Sequence, residues 1–129
     1  MKRSTVAKMP AYQEYPADIL SDETFIKMSM AERGMVWTLR LYCWKNGTVP
    51  ASWQGLSELL NITEEEVANT FTANVGSCFQ LADSGSEEQR LFNPDLEAYR
   101  IEKLEKSAKR AASGRQGGLQ RHRNEDEFA

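Results

Sequence analysis

The stretch SWQGLSELLNITEEEVANTF, residues 52–71, holds two helix starts and one helix stop. Ser52 is placed to cap a short helix running through Leu60, with Trp53, Leu56, Leu59 and Leu60 as its apolar face. Asn61 breaks that helix, because asparagine tolerates the left-handed conformation in which helices end. Thr63 and Glu66 then form an S/T-x-x-E capping box that opens a second helix. That helix is expected to carry Val67, Phe71 and Val75 inward. Two short helices joined by so tight a turn read as a helix-turn-helix pair at 52–75.

The flanking sequence extends this pattern in both directions. Upstream, SMAERGMVWTLRLYCWKNG (29–47) carries a second capping box, Ser29 with Glu32, and predicts a helix from about Met30 to Lys45. Asn46-Gly47 stops it. Val36, Leu39 and Cys43 form one stripe of this helix, and Arg33, Trp37, Arg40 and Trp44 form another. The second stripe reads first as indole rings covered by arginine stems through cation–π contact, with base stacking or partner binding as the alternative. TVP (48–50) predicts a short strand that Pro50 keeps from becoming helix. Downstream, CFQLA and QRLFN flank DSGSEE and predict a β-hairpin at 78–93. Pro94 suits the first position of a last helix with Asn93 as its cap, and Leu96, Tyr99, Ile101, Leu104 and Ala108 lend that helix an apolar side.

The expected fold is therefore mainly α with a small β-hairpin: a winged helix-turn-helix with a C-terminal helix and a flexible basic tail. Residues 1–14 are polar and aperiodic, and predict a flexible N-terminal arm. YPADILSDETF (15–25) reads as an extended segment with a short helical turn. The winged-helix domain is expected at 15–105, and residues 106–129 form the basic, glycine-containing tail. Gly114, Gly117 and Gly118 each weaken a helix by about 1 kcal/mol relative to alanine, so the tail reads as a tether or a grip.

Composition narrows the function. The chain of 129 residues is 40% hydrophobic and 27% charged, which is ordinary for one globular domain. Its apolar runs fall far short of the roughly 20 residues that span a bilayer. No apolar segment follows Lys2, Arg3 and Lys8, so no signal peptide is expected and the cytoplasm is the expected location. Cys43 and Cys78 lack metal-ligand spacing and read as reduced core residues. His122 is the single histidine, no Ser/His/Asp or Cys/His pairing can be assembled around it, and no G-x-x-x-x-G-K-[ST] loop is present to hold nucleotide phosphates. Neither an enzyme, a cofactor nor a metal site is expected.

Five segments together resemble the YdaU-like prophage proteins: YPADILSD (15–22), MSMAERG (28–34), LYCWKNGTVP (41–50), LSELLNIT (56–63) and KRAASGRQGG (109–118). That winged-helix family has a poorly defined function and is often found in phage replication regions. The resemblance implies a winged-helix domain used in phage DNA metabolism, as an origin-binding or helicase-recruiting factor. It supplies no catalytic residues. Larger initiators and helicase loaders carry further domains, which points to an accessory module.

Charge is unevenly placed. Residues 1–105 hold 10 Lys and Arg against 16 Asp and Glu, whereas residues 106–129 hold 6 against 3. Lys106, Lys109, Arg110, Arg115, Arg121 and Arg123 all precede the first acid of the tail, Glu125, and are the candidate DNA-binding residues. Six neutralised phosphates would give a log K against log salt slope of about −5, and a roughly thousandfold loss of affinity between 50 and 200 mM salt. Binding of this kind is largely insensitive to sequence. In a helix-turn-helix the start of the second helix meets the major groove. Here that start is Glu64, Glu65 and Glu66, which would face a wall of phosphates. These three, with Asp83, Glu87 and Glu88 of the hairpin, read instead as a surface for a basic protein partner, such as a replicative helicase or another replication protein.

Overall fold

The computed structural model describes residues 9–82 and 88–128, with side chains as far as Gly114. Two short helices, α1 (Pro16–Ser21) and α2 (Glu23–Lys27), replace the expected extended segment and turn. Asp22 separates them and caps α2 by accepting from the N–H groups of Thr24 and Phe25. The long helix α3 (Met30–Asn46) begins at the anticipated capping box, in which Ser29 accepts from the Glu32 N–H and Glu32 accepts from the Ser29 N–H. It ends at Gly47, whose φ of 89° is left-handed. Arg100 closes that end by donating to the carbonyl of Trp44 at 3.1 Å. A cation there also opposes the negative end of the helix dipole.

Strand β1 (Val49–Pro50) leads into α4 (Trp53–Leu60), capped by Ser52 and ended by Asn61 at φ 56°. Helix α5 (Glu64–Thr70) starts where Thr63 accepts from the Glu66 N–H. Only half of the expected box is present, since the Glu66 carboxylate lies against the Thr63 hydroxyl. The helix also ends sooner than the sequence reading allowed. Thr72 accepts from the Val75 N–H and starts a separate turn, α6 (Ala73–Gly76), so Val67 and Val75 are buried from two elements.

Strands β2 (Gln80–Leu81) and β3 (Arg90–Phe92) pair antiparallel, as the hairpin predicts. The sheet has the order β1-β3-β2, with Val49 opposite Leu91 and Leu91 opposite Leu81. Pro50 lies on an edge strand, where a missing N–H costs no ladder bond. Helix α7 (Pro94–Phe128) follows. Buried Asn93 caps it through the Leu96 N–H and donates to the Cys78 carbonyl, tying the base of the hairpin to the last helix.

The core forms around Leu39, with Val36, Cys43, Val49, Leu56, Val67, Val75 and Phe79. Leu39, Leu56, Val67 and Val75 are 0% exposed, and a fully buried side chain of this kind contributes roughly 1.5–3 kcal/mol. The fold is mainly helical with one small three-stranded antiparallel sheet.

Three expectations need correction. Residues 9–14, expected as part of a loose arm, lie against α3 and α7. The Trp44 indole donates to the Pro10 carbonyl at 2.9 Å, Tyr12 stacks on Trp44, and Glu14 pairs with Arg40. The arginine–tryptophan stripe is also divided. Trp44 is buried between Tyr12 and Tyr99, and Arg33 donates to the carbonyls of Phe25 and Ile26 with its guanidinium over the Phe25 ring. Trp37 alone of the four faces outward. Finally, no helix boundary falls at 105/106. The α7 backbone runs on through Gly114, Gly117 and Gly118 to Phe128 in place of a flexible tail, because the alanines, lysines, arginines and glutamines around those glycines are strong helix formers.

Candidate functional site

Helix α7 has a docked beginning and a projecting remainder. Leu96 is buried, Tyr99 packs on Trp44, and Arg100 is held by the Trp44 carbonyl and by Glu97. Among the described residues, no hydrogen bond, ring contact or ion pair joins anything after Arg100 to the body. At 1.5 Å per residue, the 28 residues beyond Arg100 extend about 40 Å, more than the width of a small domain.

The candidate DNA-binding residues stand on this projection. Lys106 pairs with Glu102 at 2.9 Å, one helical turn back. That hydrogen bond and the charge of Lys106 lower the carboxyl pKa of Glu102. An exposed pair of this type is worth little and is readily exchanged for another anion. Lys109 and Arg110 are exposed, and no carboxylate among the described residues lies within ion-pair distance of either. Lys103, Lys106, Lys109 and Arg110 recur at three- and four-residue steps and so share one side of the helix. Arg115, Arg121 and Arg123 belong to the same helix, and their side chains lie outside the described residues.

The acidic candidates are divided. Glu64, Glu65 and Glu66 are exposed in the first turn of α5, where they favour the helix dipole. Glu88 lies beside β3 and pairs with Arg90 at 3.7 Å, while Arg90 also donates to the hydroxyl and carbonyl of Thr48. Asp83 and Glu87 lie outside the described residues.

Two surfaces escaped the sequence reading. A groove of about 270 Å³ runs between α3 and the α4–α5 pair, lined by Ala31, Gly34, Thr38, Leu60, Ile62 and Glu66 among others. Exposed Met30 and Trp37 lie one turn to either side of Gly34 on α3, and exposed Leu41 follows a turn further on. The signal was present in the sequence as a glycine in the middle of a well-capped helix. An open cleft of about 340 Å³ lies between the N-terminal segment, α1 and the start of α7, lined by Glu14, Asp18, Asp22, Arg40, Asp95 and Tyr99 among others. Arg40 is already paired there with Glu14, and Asp22 is committed as a helix cap. Among the described residues, no cluster of His, Cys, Asp and Glu has metal-binding geometry, and no helix is long and apolar enough to cross a membrane.

Both cysteines are free. Burial raises the Cys43 thiol to about 11 and raises that of Cys78 as well, the opposite of what a nucleophilic cysteine needs. No family model, no curated protein and no solved structure matches the chain.

Proposed function

We propose that the chain is a non-enzymatic, winged-helix nucleic-acid-binding module of a phage or prophage replication region, gripping DNA through the basic side of α7. The element order α3, β1, α4, α5, α6, β2, β3, in which α6 is a single turn, together with the strand order β1-β3-β2 supports a winged helix. One observation carries the functional reading: Lys109 and Arg110, with Lys106, stand exposed on a helix that projects away from an acidic body. Phosphates are the natural counter-charge for such a row, and neutralising them releases condensed counterions. Charges further apart than about 8 Å are mostly screened at physiological salt, so the acidic body does not cancel a helix held away from it. Glu64, Glu65 and Glu66 at the start of α5 argue against entry of that helix into the major groove.

Charge reversal tests the reading. Lys106→Glu/Lys109→Glu/Arg110→Glu is expected to weaken binding to labelled DNA sharply in fluorescence anisotropy while leaving the circular dichroism of the fold intact. Undiminished binding by this variant would refute the assignment to α7. A second reading, docking of a replicative helicase or other replication protein, is favoured by the groove that Glu66 lines between α3 and the α4–α5 pair. Glu64→Lys/Glu65→Lys/Glu66→Lys is expected to lose that partner and retain DNA.

A further inference from the structure

Helix α3 carries a glycine within an exposed apolar row. Met30, Gly34, Trp37 and Leu41 follow one another at steps of four, three and four residues, which places them in a sector of about 60° on one side of the helix. Met30, Trp37 and Leu41 are 77%, 41% and 45% exposed. A Cβ added to Gly34 meets nothing within 4 Å, so the row dips at that point into open space. Gly34 also belongs to the groove of about 270 Å³, with Ala31 and Thr38 on the same helix and Leu60, Ile62 and Glu66 from the α4–α5 pair. The Thr38 hydroxyl donates back to the Gly34 carbonyl at 2.7 Å, so its polar atom is already satisfied within α3.

We infer that this groove receives one helix of a partner protein, apolar along the side that meets Gly34 and basic along the edge that meets Glu66. The inference rests on the protein-docking reading above and names the chemistry of its partner. The walls select the secondary structure. Helices α3, α4 and α5 spend their backbone donors and acceptors internally, and Ile62, in the turn, has its N–H on the Ser57 carbonyl and its C=O on the Ser57 hydroxyl. An extended segment laid between them would leave its own N–H and C=O groups unpaired. A helix satisfies those groups itself and presents side chains at the same three- and four-residue steps. Gly34 lets the incoming backbone come close, and an exposed tryptophan one turn away is the residue type that anchors such interfaces. Charge selects the flank. No lysine or arginine lines the groove. Oε1 of Glu66 accepts from the Thr63 hydroxyl, and no cation among the described residues lies within ion-pair distance of this carboxylate. Glu64 and Glu65 are exposed in the same turn. A helix with lysine or arginine along this edge is therefore drawn in, and an acidic one is repelled.

NMR titration of the full chain with synthetic peptides tests the assignment in the absence of DNA. The probe is a peptide of leucine, alanine and lysine with leucines at heptad spacing, about 14 residues long, enough to cover the roughly 16 Å from Met30 to Leu41. Its control carries glutamate in place of lysine. The lysine peptide is expected to shift the amide signals of Gly34, Thr38, Ile62 and Glu66 in a salt-dependent way, and the glutamate peptide to leave them in place. Gly34→Ala keeps the fold, since the added methyl meets nothing in the body, and is expected to weaken the lysine peptide roughly tenfold by standing where the partner's backbone approaches. Glu66→Gln should weaken it as well and reduce its salt dependence. Binding of the lysine peptide that Gly34→Ala leaves unchanged would overturn the groove and leave the acidic docking surface standing. Binding of neither peptide would overturn both. Equal shifts at these amides with the two peptides would refute the charge selection. Shifts at Gly34 that grow with protein concentration alone would refute the choice of partner in favour of a second copy.

Discussion

Three glycines of the body give a prediction with opposite signs for one substitution. At Gly34, in the middle of α3, a new Cβ meets nothing within 4 Å. Alanine there adds helix propensity of about 1 kcal/mol at no steric cost, which raises Tm by about 4 °C in a domain of this size. At Gly55, in the first turn of α4, the Cβ would stand 2.5 Å from Cβ of Pro50 and 3.0 Å from the Ser52 hydroxyl. That hydroxyl is the cap accepting from the Gly55 N–H. Overpacking against a fixed proline ring costs about 1–3 kcal/mol and exceeds the propensity gain, so Tm falls. At Gly47, φ is 89° and the Cβ would lie 3.3 Å from the Arg100 guanidinium. The left-handed backbone alone costs alanine about 1–2 kcal/mol. Thermal melts followed by circular dichroism should therefore order the variants as Gly34→Ala above wild type, with Gly47→Ala and Gly55→Ala below it. A Gly34→Ala protein that melts below wild type, or a Gly55→Ala protein that melts above it, would refute the packing described for α3 and α4.

Other outcomes follow from the core and its titrating groups. Leu39→Ala, at the centre of the core and 0% exposed, is expected to lose about 2–5 kcal/mol in urea unfolding. Cys43 should resist thiol reagents in the native protein at neutral pH and react after unfolding. Because burial raises its pKa from 9.0 to about 11, the native state holds its proton where the unfolded state has lost it. Stability from this group is thus present below pH 9 and lost as pH rises toward 11, and Cys43→Ala should flatten that alkaline decline. Glu32 shows the reverse sign. Its pKa is lowered, first by the hydrogen bond from Thr72 and then by that from the Ser29 N–H. Its contribution is present above the ordinary carboxylate range and lost as pH falls through the lowered value, so Thr72→Val should weaken the acid dependence of unfolding.

Local signals carried much of the fold. Ser29 with Glu32, Ser52, Asn61 and Asn93-Pro94 each act within one turn of chain, and each starts or stops a helix where the residues imply. The hairpin likewise follows from two apolar runs about a turn. Long-range contacts were less legible. Nothing near Pro10 or Tyr12 announces that Trp44, more than thirty residues away, will hold them. Thr72 was hidden because Phe71 and Val75 keep helical spacing across the break, yet its hydroxyl caps a new turn. The basic row on α7 was visible as a charge run, whereas the continuous helix that carries it was hidden by Gly114, Gly117 and Gly118. The groove beside Gly34 needed three elements in place before it existed.

The most direct test of the central claim is the salt dependence of DNA binding by the full chain. With all six candidate residues, from Lys106 to Arg123, on phosphates, log K should fall against log salt with a slope of about −5, and Lys106→Glu/Lys109→Glu/Arg110→Glu should remove at least half of it. A flat salt dependence, or the same slope in both proteins, would contradict the account.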